Sequence, residues 1–307
     1  MNVIRALSEL PPVRGKCCLA IGFFDGVHLG HQQILRQAIN DARQHEASAL
    51  AITFDQHPNA VVAPERVPPL IYSLPQKLRT IAELGMEHLW LVHFDRAFSE
   101  QTGEAFIRGL LKDLGPLQSI CVGASFGFGH KRGGNVTLLR HLGDELKFIV
   151  HGLAAVSLDG KAVSSTRIRQ GIQAGRLDEV SQMLGRAYSL VGPVVRGDGM
   201  GRELGFPTAN LDVRRLALPP RGVYAVHAEV AGTAWRAVLN IGVRPTLQHS
   251  NPQLQVEAHL LDFQGDLYGR ELELKFVDHL RPEQRFASLA ELRAQIARDI
   301  AQARLRF

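Results

Sequence analysis

The stretch IGFFDGVHLGH, residues 21–31, decides how the first half of the chain folds. An apolar run, CCLAIGFF (17–24), leads into it and predicts a buried strand. The run that follows, HQQILRQAINDARQH (31–45), has apolar residues at helical spacing. A buried strand that turns through glycines into an amphipathic helix is the opening unit of a parallel α/β sheet. The two histidines of the turn, His28 and His31, are candidates for metal ligands, phosphate ligands or ordinary turn residues.

Strand and helix patterns alternate along the rest of the first half. Helices are predicted over SLPQKLRTIAELG (73–85) and SEQTGEAFIRGLLKDLG (99–115), and strands at SALAITF (48–54), HLWLVHF (88–94), SICVGA (119–124) and LKFIVHGLAAV (146–156). This alternation predicts a parallel sheet with helices on both faces. The loops TFDQHP (53–58) and GASFGFGH (123–130) each follow a predicted strand. Because ligands bind beyond the carboxyl ends of parallel strands, these loops and the opening turn are expected to share one edge of the sheet.

After about residue 186 the pattern changes to short strand-like runs, most of them separated by Gly, Pro, Asp or Asn. The runs are YSLVGPVVRG, GVYAVHAEV, TAWRAVLNIGV, LQVEAHLLDF and RELELKFVDHL. They predict a small antiparallel barrel or sandwich. We therefore predict two domains, residues 1–186 and residues 187–307.

The chain ends in a predicted helix, SLAELRAQIARDIAQARLRF (288–307). Ser288 and Glu291 form a capping box at its start. The packed face of the helix is predicted at Leu292, Ile296, Ile300 and Leu305.

The composition is that of a globular protein, with 307 residues of which 45% are hydrophobic and 21% charged, and a formal net charge of +5. No apolar run approaches the roughly 18 residues that span a bilayer, and the first residues lack the apolar core of a secretory signal. Cys17, Cys18 and Cys121 fit neither a disulfide framework nor a zinc pattern. The basic residues are scattered, so no nucleic-acid partner is predicted. These features favour a cytoplasmic protein that binds small molecules and no membrane, and they leave the oligomeric state open, a monomer included.

Taken alone, two histidines three residues apart are weak evidence for a metal, because zinc sites usually need a third ligand and no cysteine lies nearby in the sequence. The surroundings of His28 and His31 favour phosphate. Gly22, Gly26 and Gly30 let the backbone approach a ligand, and free N–H groups at the start of the following helix can bind an anion. Two imidazoles at that point can donate hydrogen bonds to phosphate oxygens. An ordinary surface turn remains the alternative.

A second anion-binding cluster is predicted in DGKAVSSTRIRQG (159–171). Hydroxyl and basic side chains stand together at the start of a predicted helix, namely Lys161, Ser164, Ser165, Thr166, Arg167 and Arg169. The alternative is a helix cap followed by a solvated basic face.

A third candidate site lies in the predicted barrel, in GRELGFPTAN (201–210). The hydroxyl of Thr208 and the carbonyl oxygen of Asn210 are hard ligands that suit Mg²⁺. The preceding RGDGMG (196–201) is rich in glycine and can present N–H groups to phosphates, although no Walker sequence follows it. The alternative is a barrel loop in which Thr208 and Asn210 only form turns.

Together these motifs resemble, in order, those of the bacterial FAD synthetases, a family of bifunctional riboflavin kinase/FMN adenylyltransferases. The motifs are GFFDGVHLGH, TFDQHP, VGASFGFGHKRGGN and SSTRIR, followed by GFPTAN, GVYAV, NIGVRPT, VEAHLLDF, DLYGRELEL and LRPEQRF. The resemblance implies a Rossmann-like nucleotidyltransferase domain and then a Greek-key β-barrel kinase domain with a C-terminal helix. It implies ATP-dependent phosphorylation of riboflavin to FMN, and adenylyl transfer from ATP to FMN that gives FAD and pyrophosphate. Mg²⁺ is the implied metal.

The resemblance also implies roles for individual residues. His28 and His31 contact the ATP phosphates during adenylyl transfer, and Glu257 is the base of the kinase. The ATP site of the transferase is implied at Gly22, Phe23, Asp25, His28, His31, Ser164, Ser165, Thr166 and Arg169. Its flavin site is implied at Phe54, Asp55, Ser125 and Phe128, and the ATP and Mg²⁺ ligands of the kinase at Gly201, Thr208 and Asn210. Asp25 also fits a structural turn residue, and Glu257 also fits an ordinary surface residue of a strand.

The chain departs from the family pattern at Phe23, Gln56, Ser125 and Leu247. Ser125 stands where the motif usually carries an acidic or amide residue, which leaves one nucleotide contact open. Two rival functions remain. One is a different nucleotidyltransferase, such as a cytidylyltransferase, fused to an unrelated barrel, and the other is a flavin-binding regulator or carrier without turnover. The barrel motifs argue against the first, and the two sets of charged catalytic residues argue against the second.

Overall fold

The computed structural model describes residues 1–12, 15–244 and 253–307. The described residues form two compact units, of which the first contains residues 1–68 and 74–165 and the second contains residues 69–73 and 166–307. None of the described helices is long and apolar enough to cross a membrane. The domain boundary after residue 186, drawn from the change in sequence pattern, stays a prediction.

The first unit is a parallel sheet flanked by helices, with two short hairpins added. Its strands are β1 (Asn2–Ile4), β2 (Cys17–Ile21), β3 (Ser48–Phe54), β4 (His88–Val92), β5 (Leu117–Gly123), β6 (Gly127–Phe128), β7 (Gly134–Asn135), β8 (Ile149–Leu153), β9 (Ser157–Leu158) and β10 (Lys161–Ala162). Its helices are α1 (Leu29–Gln44), α2 (Asn59–Val62), α3 (Leu74–Glu83), α4 (Arg96–Glu100), α5 (Gly103–Leu114) and α6 (Val136–Leu146). The sheet runs in the order β1-β4-β3-β2-β5-β8 with every pair parallel, which confirms the predicted Rossmann-like domain.

The central strand β2 shows why the sheet is covered on both faces. All five of its residues are buried. Leu19 and Ile21 pack into one core with residues of α5 and α6, and Cys18 and Ala20 pack into the opposite core with Leu35 and its neighbours on α1. Because successive side chains of a strand point to opposite faces, a strand in this position must be apolar throughout.

Several predicted elements of this unit were wrong in their bounds: the strands predicted over 88–94 and 146–156 are shorter, and two further differences have a clear physical cause. The strand predicted over 17–24 ends early, because Phe24 adopts a left-handed backbone with φ 54° that a strand cannot contain. The single helix predicted over 99–115 is two helices, α4 and α5. Thr102 separates them, since its Oγ1 caps α5 by accepting a hydrogen bond from the N–H of Ala105 at 3.2 Å. The structure adds β1 and α6, which we did not predict.

The second unit is a closed antiparallel barrel with helices around it. Its helices are α7 (Ser165–Gln173), whose first residue belongs to the first unit, α8 (Leu177–Leu184), α9 (Met200–Glu203) and α10 (Leu289–Arg304). Its strands are β11 (Ser189–Val195), β12 (Ala209–Leu211), β13 (Gly222–Val230), β14 (Thr233–Arg244), β15 (Gln253–Leu260) and β16 (Glu271–Pro282). The barrel closes in the order β11-β12-β15-β14-β13-β16. The neighbours β16-β13-β14-β15 form a Greek key, which confirms the predicted architecture.

The C-terminal helix α10 begins as predicted but packs differently from the prediction. The Oγ of Ser288 accepts a hydrogen bond from the N–H of Glu291 at 3.2 Å. Leu305, placed in the packed face by its spacing, is 85% exposed, because the helix ends at Arg304 and the periodicity ends with it. A buried polar residue helps to hold the helix in place instead, since the carboxylate of Asp299 pairs with Arg281 of β16 at 2.8 Å.

Candidate active sites

The turn after β2 is held in an unusual backbone conformation. Phe24 and Val27 are fully buried and have positive φ angles of 54° and 40°. Gly26 between them has φ 74°. Residues with side chains rarely adopt this region unless the surrounding packing holds them there. The buried side chains therefore fix the turn, and with it the point at which α1 begins.

His28 and His31 form a stacked pair at the N-terminus of α1. Their ring centroids lie 3.6 Å apart, and the ring planes differ by 19°. His28 is the N-cap of α1, and its Nδ1 accepts a hydrogen bond from the backbone N–H of His31 at 3.4 Å. Because Nδ1 accepts, the proton of a neutral His28 is assigned to Nε2, which can donate to a ligand. The backbone N–H groups of Leu29 and Gly30, at the first positions of the helix, have no carbonyl partner within it and lie beside His28.

The surroundings of His31 keep its ring uncharged. Burial, the neighbouring His28 and the Lys77 ammonium together lower the pKa of His31 well below its ordinary value of 6.5. Phe24 packs edge-on against the ring with centroids 5.4 Å apart. Among the described residues, the buried Nδ1 of His31 has no hydrogen-bond partner. A buried polar atom without a partner is uncommon and fits a site that a ligand completes.

A buried lysine that the sequence analysis did not single out ties two of the loops together. The Nζ of Lys77 donates to the carbonyl oxygens of Phe23 at 3.2 Å and Phe54 at 2.9 Å, and to Oγ1 of Thr53 at 3.3 Å. The ammonium lies 4.5 Å from the centroid of the Phe23 ring. Burial lowers the pKa of Lys77 to about 8, against the opposing effect of two nearby carboxylates. One feature of the sequence could have identified Lys77. It lies four residues before Ile81, on the buried face of an amphipathic helix, where a lysine is unusual.

A cavity of about 880 Å³ opens in the first unit at the carboxyl edge of the sheet. The loops after β2, β3 and β5 all contribute to it, as the sequence predicted. The cavity brings together nine of the predicted site residues, namely Gly22, Phe23, His28, His31, Phe54, Ser125, Phe128, Ser164 and Ser165. Histidines and serines therefore meet at one cavity although more than 130 positions separate them in the sequence.

One wall of the cavity is aromatic. It is formed by Phe54, Phe94, Phe98, Phe106, Phe126 and Phe128, which we call the aromatic wall. The rings of Phe126 and Phe128 stack with centroids 5.3 Å apart and planes 14° apart. Phe54 packs edge-on against Phe94 at 5.3 Å and Phe98 at 5.9 Å. Only Phe54 and Phe128 were predicted, because the other four lie on elements whose proximity is not evident from the sequence.

Two predicted aspartates do not line the cavity. Asp25 is buried, and its main-chain carbonyl accepts a hydrogen bond from Oγ of Ser165 at 3.2 Å, which fits the structural alternative. The carboxylate of Asp55 pairs with Nδ1 of His93 at 2.7 Å. Partial burial alone would raise the pKa of Asp55, but the hydrogen bonds from His93 and from the N–H of Phe94 outweigh it and lower that pKa. In return, Asp55 raises the pKa of His93.

The predicted SSTRIR cluster divides between the two units. Ser164 and Ser165 belong to the first unit and line its cavity. Thr166 and Arg169 belong to the second unit, where the Nε of Arg169 donates to the carbonyl oxygen of Pro69 at 2.7 Å. A role of Thr166 and Arg169 in ATP binding stays a prediction.

The mouth of the cavity carries basic side chains that the sequence analysis did not name individually. His130, Lys131 and Arg132 are exposed and line the cavity. Lys131 and Arg132 both have positive φ angles, 49° and 57°. The motif around them was noted only as part of the family pattern. Positive charge at this point suits an anionic ligand.

The barrel of the second unit carries a row of three polar residues on adjacent strands. Asn210 of β12 pairs in register with Glu257 of β15, and Glu257 pairs with Asn240 of β14. Paired residues of neighbouring strands point to the same face. This face is the outer one, because Val256 and Ala258, on either side of Glu257, are buried in the barrel core.

Two of the three residues in this row were predicted. Asn240 was noted only as part of a predicted strand and of the NIGVRPT motif, and the alignment of three strands that gives it a place beside Glu257 is not evident from the sequence. The last residues of that motif, Pro245 and Thr246, lie outside the described residues, as does the departure at Leu247.

The loop before Asn210 packs closely on glycines and on a histidine. A Cβ at Gly201 would lie 2.6 Å from the carbonyl oxygen of Phe206 and 3.0 Å from Oγ1 of Thr208. A Cβ at Gly197 would lie 2.9 Å from Oδ1 of Asn210. These glycines therefore let the backbone run against the predicted ligands. The Nδ1 of His259, two residues after Glu257, lies 2.7 Å from the carbonyl oxygen of Pro207 and anchors the loop.

Each half of the chain matches a known protein family. Residues 10–167 match the family described as FAD synthetase, and residues 184–307 match the family described as riboflavin kinase. Proteins named bifunctional riboflavin kinase/FMN adenylyltransferase are similar over nearly the whole chain. The one from Escherichia coli K12 is 40% identical over 309 residues, which cover 99% of this chain and 97% of that protein. The one from Pseudomonas fluorescens is 37% identical over 304 residues, with the same coverage.

A solved structure has the same fold over almost its full length. It is described as a macrolide-efflux protein from Streptococcus pneumoniae, and it is 27% identical to this chain with a TM-score of 0.81. The match covers 98% of each chain, so the likeness includes both the parallel sheet and the barrel.

Proposed function

The chain belongs to the family of bifunctional riboflavin kinase/FMN adenylyltransferases. We propose that each of its two sites catalyses one of the two reactions. The enzyme phosphorylates riboflavin with ATP to give FMN, and it then joins FMN to the adenylyl group of a second ATP to give FAD and pyrophosphate. We assign adenylyl transfer to the cavity of the first unit and phosphorylation to the outer face of the barrel. The barrel is a riboflavin kinase module, which removes the rival function that required an unrelated barrel.

Adenylyl transfer depends on positioning more than on proton transfer. The phosphate of FMN is already an anion, and one of its oxygens attacks the α-phosphorus of ATP while the bond to pyrophosphate breaks and the electron pair leaves with it. Negative charge grows on the oxygens around the α-phosphorus. The Nε2–H of His28 and the backbone N–H groups of Leu29 and Gly30 at the start of α1 are the donors that stabilise this charge. The unpartnered nitrogen of His31 lies beside them for a further contact.

The aromatic wall is the single observation that carries the assignment of FMN to this cavity. A flavin ring is large, flat and mostly apolar, and stacked or edge-on aromatic side chains bind such rings well. The phosphate end of FMN requires positive charge and hydrogen-bond donors, which Lys131, Arg132 and His28 supply at other parts of the same cavity. The lining therefore suits both ends of the substrate.

The substitution Phe128→Leu tests this assignment. Leucine keeps an apolar side chain but removes the stacked ring, and a loss of about 1.4 kcal/mol raises the KM for FMN in FAD formation about tenfold. Riboflavin phosphorylation by the same chain is expected to be unchanged, because that reaction is assigned to the second unit. The matched control is Phe286→Leu in the second unit. An unaltered KM for FMN in Phe128→Leu would contradict the assignment.

Phosphorylation of riboflavin has a different requirement, because the ribityl hydroxyl is a poor nucleophile. A carboxylate that takes the hydroxyl proton as its oxygen attacks the γ-phosphorus of ATP meets that requirement, and ADP is the leaving group. We assign this role to Glu257. Its in-register neighbours Asn210 and Asn240 place it in a polar row, which an ordinary surface position does not require.

Mg²⁺ is the metal expected with the ATP of the kinase, and the donors present fit it. The Thr208 hydroxyl and the Asn210 amide oxygen are oxygen ligands of the kind that Mg²⁺ prefers. The backbone at Gly197 and Gly201 runs too close to this loop to carry a side chain. Main-chain N–H groups of such a glycine-rich loop can donate to phosphate. Bound Mg²⁺ would neutralise charge on the phosphates.

The kinase assignment is tested with Glu257→Gln. The amide keeps the shape of the side chain but cannot accept the hydroxyl proton, so kcat for FMN formation is expected to fall at least about 100-fold. The matched control is Glu229→Gln, which changes another carboxylate of the barrel, one that pairs with Lys275 at 2.8 Å. Equal kcat values in Glu257→Gln and the wild type would contradict the role.

We also place the enzyme in the cytoplasm. Cys17, Cys18 and Cys121 are free thiols and buried, which suits a reducing compartment. Burial raises the pKa of Cys17 to about 11, so this thiol is unreactive at neutral pH.

A further inference from the structure

A buried group of side chains on one side of the parallel sheet takes no part in the reactions above. Asp41 lies on α1, Cys121 on β5 and His151 on β8. Each offers one ligand atom, and the three atoms lie within 4.8 Å of one another. Asp41 and Cys121 are buried, and His151 is half-buried. An oxygen, a sulfur and a nitrogen donor thus converge from three separate elements.

We propose that Asp41, Cys121 and His151 bind a thiophilic divalent transition metal, with zinc as the best fit. Oδ2 of Asp41 lies 3.1 Å from Nε2 of His151 and 3.8 Å from Sγ of Cys121. Tetrahedral zinc, with bonds of about 2.0–2.3 Å, separates its ligand atoms by about 3.3–3.7 Å. These two separations therefore need to change by only a few tenths of an ångström, and Sγ of Cys121 lies within 4.8 Å of Nε2 of His151. Thiolate and imidazole select zinc and similar ions over Mg²⁺.

The carboxylate of this site is oriented by neighbours, as ligands of metal sites commonly are. Nε2 of Gln37 donates to Oδ1 of Asp41 at 2.7 Å. Oγ of Ser119 donates to Oδ2 at 2.6 Å, so a hydroxyl also lies at the site. The side chain of His151 is 31% exposed, which gives an ion a route from solvent.

Binding has a defined proton balance. The Cys121 thiol binds a metal as the thiolate, so it gives up its proton on binding. That proton leaves for solvent as the metal–sulfur bond forms. The two positive charges of the ion then meet two anionic ligands, the thiolate and the carboxylate, with neutral imidazole as the third ligand.

The position of the site indicates a structural role. Asp41 follows His28 by 13 residues along α1, which is about 20 Å at the rise of an α-helix. A metal at Asp41 therefore cannot touch the phosphates bound at the start of the same helix. It would instead join α1 to β5 and β8 and stabilise the first unit against unfolding. The spacing of residues 41, 121 and 151 matches no sequence pattern of metal ligands, which is why the sequence did not indicate it.

Cobalt titration of the full chain tests the proposal. Protein stripped with a chelator is titrated with Co²⁺, which occupies zinc sites and reports them by absorption. We expect one equivalent to produce visible bands of a tetrahedral site and a near-ultraviolet charge-transfer band from thiolate to cobalt, both of which excess Zn²⁺ removes. Cys121→Ser is expected to lose the charge-transfer band. His151→Gln is expected to weaken binding at least tenfold.

The matched control is Cys17→Ser. It removes another buried thiol of the same sheet, on the opposite face from Cys121, and is expected to keep both bands. The proposal is overturned if the wild type gives no charge-transfer band, if Cys121→Ser keeps it, or if Cys17→Ser loses it. If Cys121→Ser fails to fold, His151→Gln decides, because an unchanged affinity for Co²⁺ in that variant also overturns the site.

Discussion

Burial, the neighbouring His28 imidazole and the Lys77 ammonium all oppose the protonation of His31. Its pKa in the folded chain lies well below the ordinary value of 6.5, so the unfolded chain binds a proton first as the pH falls. The stability contributed by neutral His31 is therefore present above about pH 6.5 and is lost on acidification. Between pH 7 and pH 5.5, one such group changes the free energy of unfolding by up to about 1.3 kcal/mol.

The substitution His31→Gln is expected to remove that part of the pH dependence. Urea unfolding at pH 7 and pH 5.5 measures it, as the difference in unfolding free energy between the two pH values. The control is His141→Gln, which changes an exposed histidine of the same unit. If His31→Gln loses as much stability on acidification as the wild type does, the ring is not held neutral by its surroundings.

Lys77 is a positioning residue, since it holds the backbone of Phe23 and Phe54 rather than any reacting atom. Its charged form makes these contacts best, and its pKa of about 8 means that this form is lost as the pH rises through that value. Adenylyl transfer is therefore expected to decline above about pH 8. In Lys77→Met, kcat for this reaction is expected to fall about 10- to 100-fold at pH 7, and the remaining activity should lose the decline above pH 8.

The test is to measure kcat for FAD formation from FMN as a function of pH, in the wild type and in Lys77→Met. Riboflavin phosphorylation by the same variant is expected to be unchanged, because that reaction is assigned to the second unit. A variant with reduced kcat but an unchanged decline near pH 8 would place that titration on another group.

At the scale of elements, the strands of the sheet and barrel were predictable because each is a short apolar or alternating run. SALAITF and GVYAVHAEV match β3 and β13 residue for residue. Helix bounds were less predictable, since capping side chains decide them. Thr102 starts α5 in the middle of a helical pattern, and α10 stops before Leu305 although the apolar spacing continues.

The contact between the loop after β5 and the start of α5 gives a prediction at this scale. A Cβ at Gly129 would lie 2.7 Å from Cα of Gly103, and Gly129 has φ 70°. Gly129→Ala is therefore expected to lower the free energy of unfolding by about 1–3 kcal/mol. It is also expected to raise the KM for FMN, because Phe128 of the aromatic wall is the adjacent residue.

The matched control is Gly109→Ala. Gly109 lies within α5, and nothing is within 4 Å of a Cβ built there, so alanine is expected to stabilise the helix by up to about 1 kcal/mol. Chemical denaturation and FMN kinetics of the two variants make the comparison. Similar small effects of both substitutions would show that the loop can move away from α5 without cost.

At the scale of the whole molecule, the sequence was enough to predict the fold class and the family. It was not enough to predict which residues far apart in the sequence lie together in the structure. His28 and Glu257 were identified because the family motifs contain them. Lys77, Asn240 and the remaining phenylalanines of the aromatic wall gain their places only when strands and loops far apart in sequence come together. Asp41, Cys121 and His151 are a similar case, since no local pattern joins them.

In the whole chain, adenylyl transfer and phosphorylation are assigned to separate sites. His28→Asn removes the imidazole but keeps a side chain that can cap α1, and Glu257→Gln removes the carboxylate of the kinase. Because FMN is a free product of one reaction and the substrate of the other, two variants that each lack one activity are expected to complement each other.

The most direct measurement is chromatography of the flavins formed from riboflavin, ATP and Mg²⁺ by each variant and by an equimolar mixture of the two. His28→Asn is expected to accumulate FMN without FAD. Glu257→Gln is expected to form neither from riboflavin but to convert added FMN to FAD, and the mixture is expected to form FAD from riboflavin. Loss of both activities in either folded variant, or no FAD from the mixture, would contradict two separate sites.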